Sequence, residues 1–237
     1  LVVRSATPVA EGRATRAVEE LAVRLDPAAA GRVELVAGDT ENAFALPGGR
    51  VVVYCGLVRE LKSPDELAAI VAHELAHGQA RHPTAALLRV MTVAVLVGAV
   101  TGDMGGQLGG GEQLVEGLVR TAHSRDDEAE ADALGRGMLR RAGLSTAGFA
   151  SFFGRRASSH GSLLPAFLST HPSDAARAHG GEEEISSPAM APAAWAALRW
   201  TCSGGDAVMR AATNALNALE AEQAAEDDDG EERVLTE

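Results

Sequence analysis

The 237-residue chain predicts a mainly helical α+β fold with one small sheet. Aromatic residues make up only 3% of it and alanine is abundant, so the core must come from small and aliphatic side chains, which suits closely packed helices. The β-rich runs are few and short, Val33 to Ala37 and Arg50 to Cys55, and turn residues bound them. Elsewhere apolar residues recur every three or four positions between capping signals.

Glu11 to Leu25 places apolar residues at Ala14, Ala17, Val18, Leu21, Val23 and Leu25, which suits an amphipathic helix, and Asp26-Pro27 closes it. Val33 to Ala37 reads as a strand. Asn42 to Tyr54 reads as a hairpin turning at Pro47-Gly48-Gly49. Ser63, Pro64, Asp65 and Glu66 start a helix: a serine cap, proline in the first turn, acids near the positive end, and Glu66 completing a capping box. That helix stops near His82-Pro83, and a second, apolar helix covers Ala85 to Val100. The six glycines of Gly102 to Gly111 mark a loop, either a lid or a plain linker. Helices follow over Glu112 to His123, Ser124 to Ala142 (with Gly143 ending it) and Ser145 to Ser158. A connection over Pro165 to Pro172 leads to a short helix at Ser173 to Ala178, then helices at Ala189 to Trp200 and Asp206 to Ala225. The expected organisation is one domain over residues 1–200, a helical extension over 201–225 and an acidic disordered tail over 226–237.

Composition narrows the partners. The net charge of −12 disfavours nucleic acid and anionic membrane. The uncharged apolar run Val90 to Val100 is shorter than the roughly 20 residues needed to cross a bilayer, so no transmembrane segment is expected and the chain reads as soluble. It begins at Leu1 without a basic leader, as a fragment does after loss of a targeting segment. Cys55 and Cys202 are too few for a disulfide framework, and two buried free thiols are the expectation.

The chemistry concentrates in His73-Glu74-Leu75-Ala76-His77. Residues four apart share a helix face, so both imidazoles can reach one cation, and neutral imidazole is a good zinc ligand. Ile70, Val71, Leu75 and the surrounding alanines mark the helix as buried, where two histidines and a carboxylate need partners. A metal supplies them. His-Glu-x-x-His on a helix is the motif of zinc metallopeptidases, with the glutamate, here Glu74, as general base. A catalytic zinc takes a third protein ligand and keeps one position open. Glu128 and Asp132 share a face with Ala131 and Gly135, and Glu130 points elsewhere. Glu128 could ligate zinc with Asp132 holding a ligand histidine from behind, or the segment could be an exposed acidic helix pairing with Arg136; spacing leaves both open.

His73-Glu-Leu-Ala-His77, followed about fifty residues later by Ser124-Arg-x-x-Glu-x-Glu-Ala-Asp-x-x-Gly135, resembles the HtpX and CAAX-prenyl-protease family of zinc metallopeptidases. The similarity is nearest to its soluble, periplasmic BepA-like members. Asn42 to Gly49 leading into Val51-Val-Val-Tyr54 resembles the family's hairpin, and Thr170-His-Pro-Ser-x-x-x-Arg177 its His-Pro motif. The resemblance implies a zincin-like metallopeptidase domain with its hairpin beside the motif helix, and one zinc ion held by His73, His77 and Glu128 with Asp132 behind. It implies that His171 and Arg177 border the active site, where the histidine can stabilise an oxyanion or cap the zinc of a latent enzyme. It also implies a periplasmic or envelope location.

The expected function is zinc-dependent endopeptidase action on unfolded polypeptide in envelope protein quality control, with Asn42, Ala43 and Phe44 pairing with the substrate backbone. The alternatives are a latent zinc-binding chaperone or adaptor, and a zinc hydrolase that does not cut peptides. His82, before a proline, is expected to be a loop residue, and His123, His160 and His179 to lie on the surface.

Overall fold

The computed structural model describes residues 7–101, 123–158, 171 and 187–205. Its elements are β1 (Thr7–Pro8), α1 (Arg13–Leu25), β2 (Val33–Ala37), β3 (Ala43–Ala45), β4 (Val51–Tyr54), α2 (Cys55–Glu60), α3 (Pro64–Gln79), α4 (His82–Thr101), α5 (Arg125–Arg141), α6 (Ala147–Ser158) and α7 (Pro192–Cys202). The expected helices at Glu112 to His123 (except His123 itself), Ser173 to Ala178 and Asp206 to Ala225, the glycine-rich loop and the acidic tail lie outside the described residues.

The sheet order is β1-β2-β4-β3. β2 runs parallel to β4 with Val33 opposite Val51 and Leu35 opposite Val53, and β3 pairs antiparallel with β4 with Ala43 opposite Val53. The hairpin turns where the sequence placed it, because Gly48 (φ 89°) and Gly49 (φ 78°) accept left-handed backbone. Alternation divides the strands' side chains: Ala43, Ala45, Val51 and Val53 join the main core, while Phe44, Val52 and Tyr54 pack with Val36 on the opposite face. The chain does not stay extended through Cys55, as the sequence suggested, but turns at once into the short helix α2.

Helix α3 is the centre of the molecule, buried without interruption from Glu66 to His77. The sheet, α5 and α6 surround it. Two glycines set its distance from the neighbouring helices. A Cβ on Gly148 would lie 2.1 Å from the Asp65 carbonyl oxygen, and one on Gly135 would lie 3.2 Å from the carbonyl of Ala72 and the amide of His73. The N-terminus of α3 follows its capping signal with one change. Ser63 accepts from the Glu66 amide, but the Glu66 carboxylate receives the amide of Lys62 instead of that of Ser63. It also accepts from Ser151 and, through both oxygens, from Arg155. Burial would raise this carboxyl, but the Arg155, Lys62 and Ser151 hydrogen bonds outweigh it and hold Glu66 below its ordinary value of 4.5. A lowered folded value contributes stability above the unfolded value and loses it as pH falls through the folded one. Arg155 is partly exposed and Glu66 keeps the Lys62 amide and Ser151, so Arg155→Met should cost about 1–3 kcal/mol at neutral pH. Urea titrations of both proteins across the acid range should show that difference shrinking once Glu66 is protonated.

Two expectations are corrected here. Cys55 and Cys202 form a disulfide across 147 residues, with Cα atoms 4.7 Å apart, tying the start of α2 to the end of α7. They are not free thiols. Contact between sites so distant in sequence leaves no local trace for a reader of the chain. A closed loop of that size stabilises mainly by restricting the unfolded chain, so Cys55→Ser/Cys202→Ser should cost about 2–5 kcal/mol, read from denaturant midpoints.

The apolar helix is also longer than its uncharged run. α4 extends over 20 residues and, among the described residues, is long and apolar enough to cross a membrane by length and composition. Leu88, Val93, Leu96 and Val100 on it are exposed.

Candidate metal centre

His73 and His77 sit one turn apart on α3, fully buried, with their Nε2 atoms 3.0 Å from each other. Helix α5 begins with Ser124 and Asp127 capping each other's amides, which fixes the first turn and Glu128 within it. The close approach at Gly135 lays that turn on α3. Glu128 Oε2 then lies 3.4 Å from His73 Nε2 and Oε1 lies 3.3 Å from His77 Nε2. His171 enters from the C-terminal side, its Nδ1 being 3.0 Å from Glu128 Oε1 and 3.3 Å from His73 Nε2.

These donors form a buried group in which one ligand atom from each residue lies within 4.8 Å of every other. A tetrahedral zinc with bonds of about 2.0–2.1 Å holds its ligand atoms about 3.3 Å apart. The observed separations match that edge, and two imidazoles, a carboxylate and a third imidazole are donors zinc accepts. Burial, reinforced by His73, His171 and His123, pushes the His77 imidazole down to about 2 against the pull of Glu128, so it is neutral, as ligation requires. Burial would raise the Glu128 carboxyl, but the imidazoles of His171, His73 and His77 gathered around it hold it far below its ordinary value.

Asp132, one turn along α5 from Glu128, stands 2.9 Å from His73 Nδ1. A carboxylate there accepts a hydrogen bond from Nδ1–H and so leaves the Nε2 lone pair free for the ion. Glu74 is fully buried, with His171 Nε2 3.3 Å from its Oε1, and its oxygens have no hydrogen-bond partner of good geometry among the described residues. Burial raises its carboxyl above the ordinary 4.5, with Glu128 adding to the effect and His171, His73 and the Ala45 amide opposing it. That moves it toward the range in which a carboxylate can take and return a proton.

Spacing along the chain does not distinguish a ligand at Glu128 from an exposed acidic helix. The structure buries Glu128 and Asp132 at the cluster and turns Glu130 outward, its side chain 60% exposed. Asn42 is buried and its Oδ1 accepts the amide of Ala43. The Phe44 side chain lies on the sheet face away from α3. Arg177 lies outside the described residues. His82 and His123 depart from expectation. His82 is not a loop residue but the buried first residue of α4, with Nδ1 2.9 Å from His77 Nδ1. His123 is not simply on the surface, since its ring stacks on His77 at 4.0 Å. The position of His82 five residues after His77 was a signal, whereas His123 lies far along the chain and nothing local pointed to it.

The sequence profile of peptidase family M48 matches residues 8–184, a span that includes every donor described above. The chain belongs to peptidase family M48. Relatives of this M48 chain include the mitochondrial metalloendopeptidase OMA1 of Schizosaccharomyces pombe, 34% identical over 64% of this chain and 45% of that protein. Metalloprotease YcaL of Escherichia coli is 29% identical over 62% of this chain and 59% of its own length. The beta-barrel assembly-enhancing protease of Yersinia pestis is 31% identical over 58% of this chain and 31% of its own length. The M48 chain thus spans about half, or less, of the length of these relatives. The resemblance to BepA-like metallopeptidases and the mainly helical fold with a small sheet are both borne out. Metallopeptidase, the class expected from the motif, is the class for which these relatives are named.

Proposed function

We propose that this chain is a zinc-dependent endopeptidase that hydrolyses peptide bonds in unfolded or misfolded segments, with Glu74 as general base. One observation carries the reading: a buried His73–His77–Glu128 set with the spacing of a tetrahedral site lies beside a buried glutamate that has no hydrogen bond of good geometry among the described residues. A zinc ion held there would polarise a substrate carbonyl and lower the pKa of a bound water toward about 7. Glu74 takes the proton of the attacking water and delivers it to the departing amine. Asp132 fixes the His73 tautomer, and His171 Nε2 and Arg177 are the donors assigned to the developing oxyanion. β3 ends the sheet order among the described residues; the Asn42 carbonyl already accepts the Tyr54 amide across the hairpin, so the outward-facing backbone of Ala43, flanked by Asn42 and Phe44, pairs with an extended substrate. The Asn42 side chain must release the Ala43 amide when that pairing forms.

Backbone pairing favours unfolded polypeptide over a defined sequence, which is the basis for assigning quality control. The disulfide fits an oxidising compartment, and the relatives named for β-barrel assembly support a bacterial envelope location. The catalytic unit is assigned to residues 1–200, closed by α7 packing on α1 and α2. Residues 201–225 are assigned to a helical extension and 226–237 to an acidic tail.

A second reading has its own support. His171 Nδ1 lies 3.0 Å from Glu128 Oε1 and 3.3 Å from His73 Nε2, so His171 could hold the ion as a fourth ligand in a latent state, in which the chain would bind zinc as a chaperone or adaptor without cleaving. Metal analysis paired with digestion of unfolded casein tests both. One zinc per chain with chelator-sensitive cleavage supports the peptidase; stoichiometric zinc without cleavage supports the latent form. A metal-free wild-type protein that still cuts casein sinks both.

A further inference from the structure

The two motif histidines are held from behind in different ways, and the second way involves a residue so far without a role. His73 has Asp132 at its Nδ1. At the Nδ1 of His77 stands another imidazole, His82, Nδ1 to Nδ1 at 2.9 Å. The rings meet near edge to face, 70° apart with centroids 5.0 Å from each other. The far nitrogen of His82, Nε2, faces two carboxylates on the first turns of α5: Glu130 Oε2 at 3.4 Å and Asp127 Oδ1 at 3.5 Å.

The direction of the protons follows from the ends of this chain of groups. A carboxylate oxygen accepts, so His82 presents an N–H at Nε2. A neutral imidazole with its proton on Nε2 has a lone pair on Nδ1. That lone pair accepts from His77, which therefore carries its proton on Nδ1 and keeps the Nε2 lone pair turned to His73, Glu128 and the ion position.

The backbone is bent to achieve this. Arg81, between α3 and α4, has φ 61°, a left-handed conformation that favours glycine. Such a conformation costs a non-glycine residue about 1–3 kcal/mol and persists only where the surroundings enforce it. It reverses the chain so abruptly that the first residue of α4 returns to the face of His77.

We infer that His82 is a positioning residue of the metal centre: it accepts the Nδ1 proton of His77 and so fixes the tautomer and ring orientation in which Nε2 of His77 can bind the ion. This rests on the zinc reading above. His82 touches no substrate and acts only through His77.

The test measures zinc dissociation constants at neutral pH by competition with a chelating dye. The wild type is compared with His82→Phe, which keeps ring volume without an acceptor, and His82→Asn, whose Oδ1 stands where Nδ1 stood. Each metal-free variant is first checked by circular dichroism. His82→Phe is expected to weaken zinc by about 10–100-fold, the usual effect of losing a partner behind a ligand, while His82→Asn stays within a few-fold of wild type. A merely structural role predicts the reverse order, because phenylalanine conserves packing and asparagine leaves a cavity. If the phenylalanine variant does not fold, His82→Ala replaces it with the same expectation. Nitrogen–proton correlation spectra of the metal-free proteins should show His77 as the Nδ1–H tautomer in the wild type and the asparagine variant, and lose that preference in the phenylalanine or alanine variant. Wild-type zinc affinity in the variants without an acceptor, or an asparagine variant as weak as they are, overturns the role of His82 alone. A wild-type protein that takes up no zinc overturns the metal reading beneath it.

Discussion

Glu74→Gln is expected to retain one zinc per chain and to lose cleavage of unfolded casein by about 10²–10⁴-fold or more. The substitution is nearly isosteric, so the difference lies in the proton. An amide oxygen cannot take a proton from water and return it to an amine. Glu74 is fully buried and, among the described residues, its oxygens have no hydrogen bond of good geometry, so the neutral amide is also easier to bury than the charged carboxylate. The variant should therefore melt no lower than the wild type. Loss of activity with unchanged stability separates a catalytic defect from a folding one. A purified Glu74→Gln protein that cuts casein at the wild-type rate would show that the base lies elsewhere.

Glu128→Ala is expected to reduce zinc affinity by more than the ~10–100-fold typical of a partner behind a ligand, because it removes a donor from the ion itself. Its carboxylate spans both motif histidines and His171, with separations of 3.0–3.4 Å, so no neighbouring side chain replaces it. Glu130→Ala, two residues along the same helix, should leave zinc occupancy near wild type. Glu130 is mostly exposed, and His82 keeps Asp127 at 3.5 Å when Glu130 is gone. Equilibrium dialysis followed by elemental analysis decides between them. The opposite order would move the third ligand to Glu130.

What could be read from the sequence was what is decided locally. The His73–His77 pair, the Ser63–Pro64 helix start, and the turn at Gly48-Gly49 each follow from a few adjacent residues, and each stands as expected. Glu128 and Asp132 could be placed on a face but not against a partner, because the contact at Gly135 belongs to two helices far apart in sequence. The disulfide was out of reach for the same reason. His82 was missed for a different one. Its distance from His77 along the chain is short, but the left-handed residue between them is an arginine, which does not announce such a turn as glycine would. At Phe44, alternation along a three-residue strand sends the side chain away from the helix that Ala43 and Ala45 meet.

The contact at Gly135 bears on more than packing. A Cβ there would lie 3.2 Å from the backbone of Ala72 and His73, so the two helices touch main chain to main chain at the level of the donors. Metal–ligand bonds tolerate errors of only about 0.2 Å, far less than the play of a flexible side chain. With α3 and α5 seated directly on each other, the gap between Glu128 and the two imidazoles is gauged by covalent geometry. The bore of this site is machined into the backbone, and its calibre is set before any ion arrives.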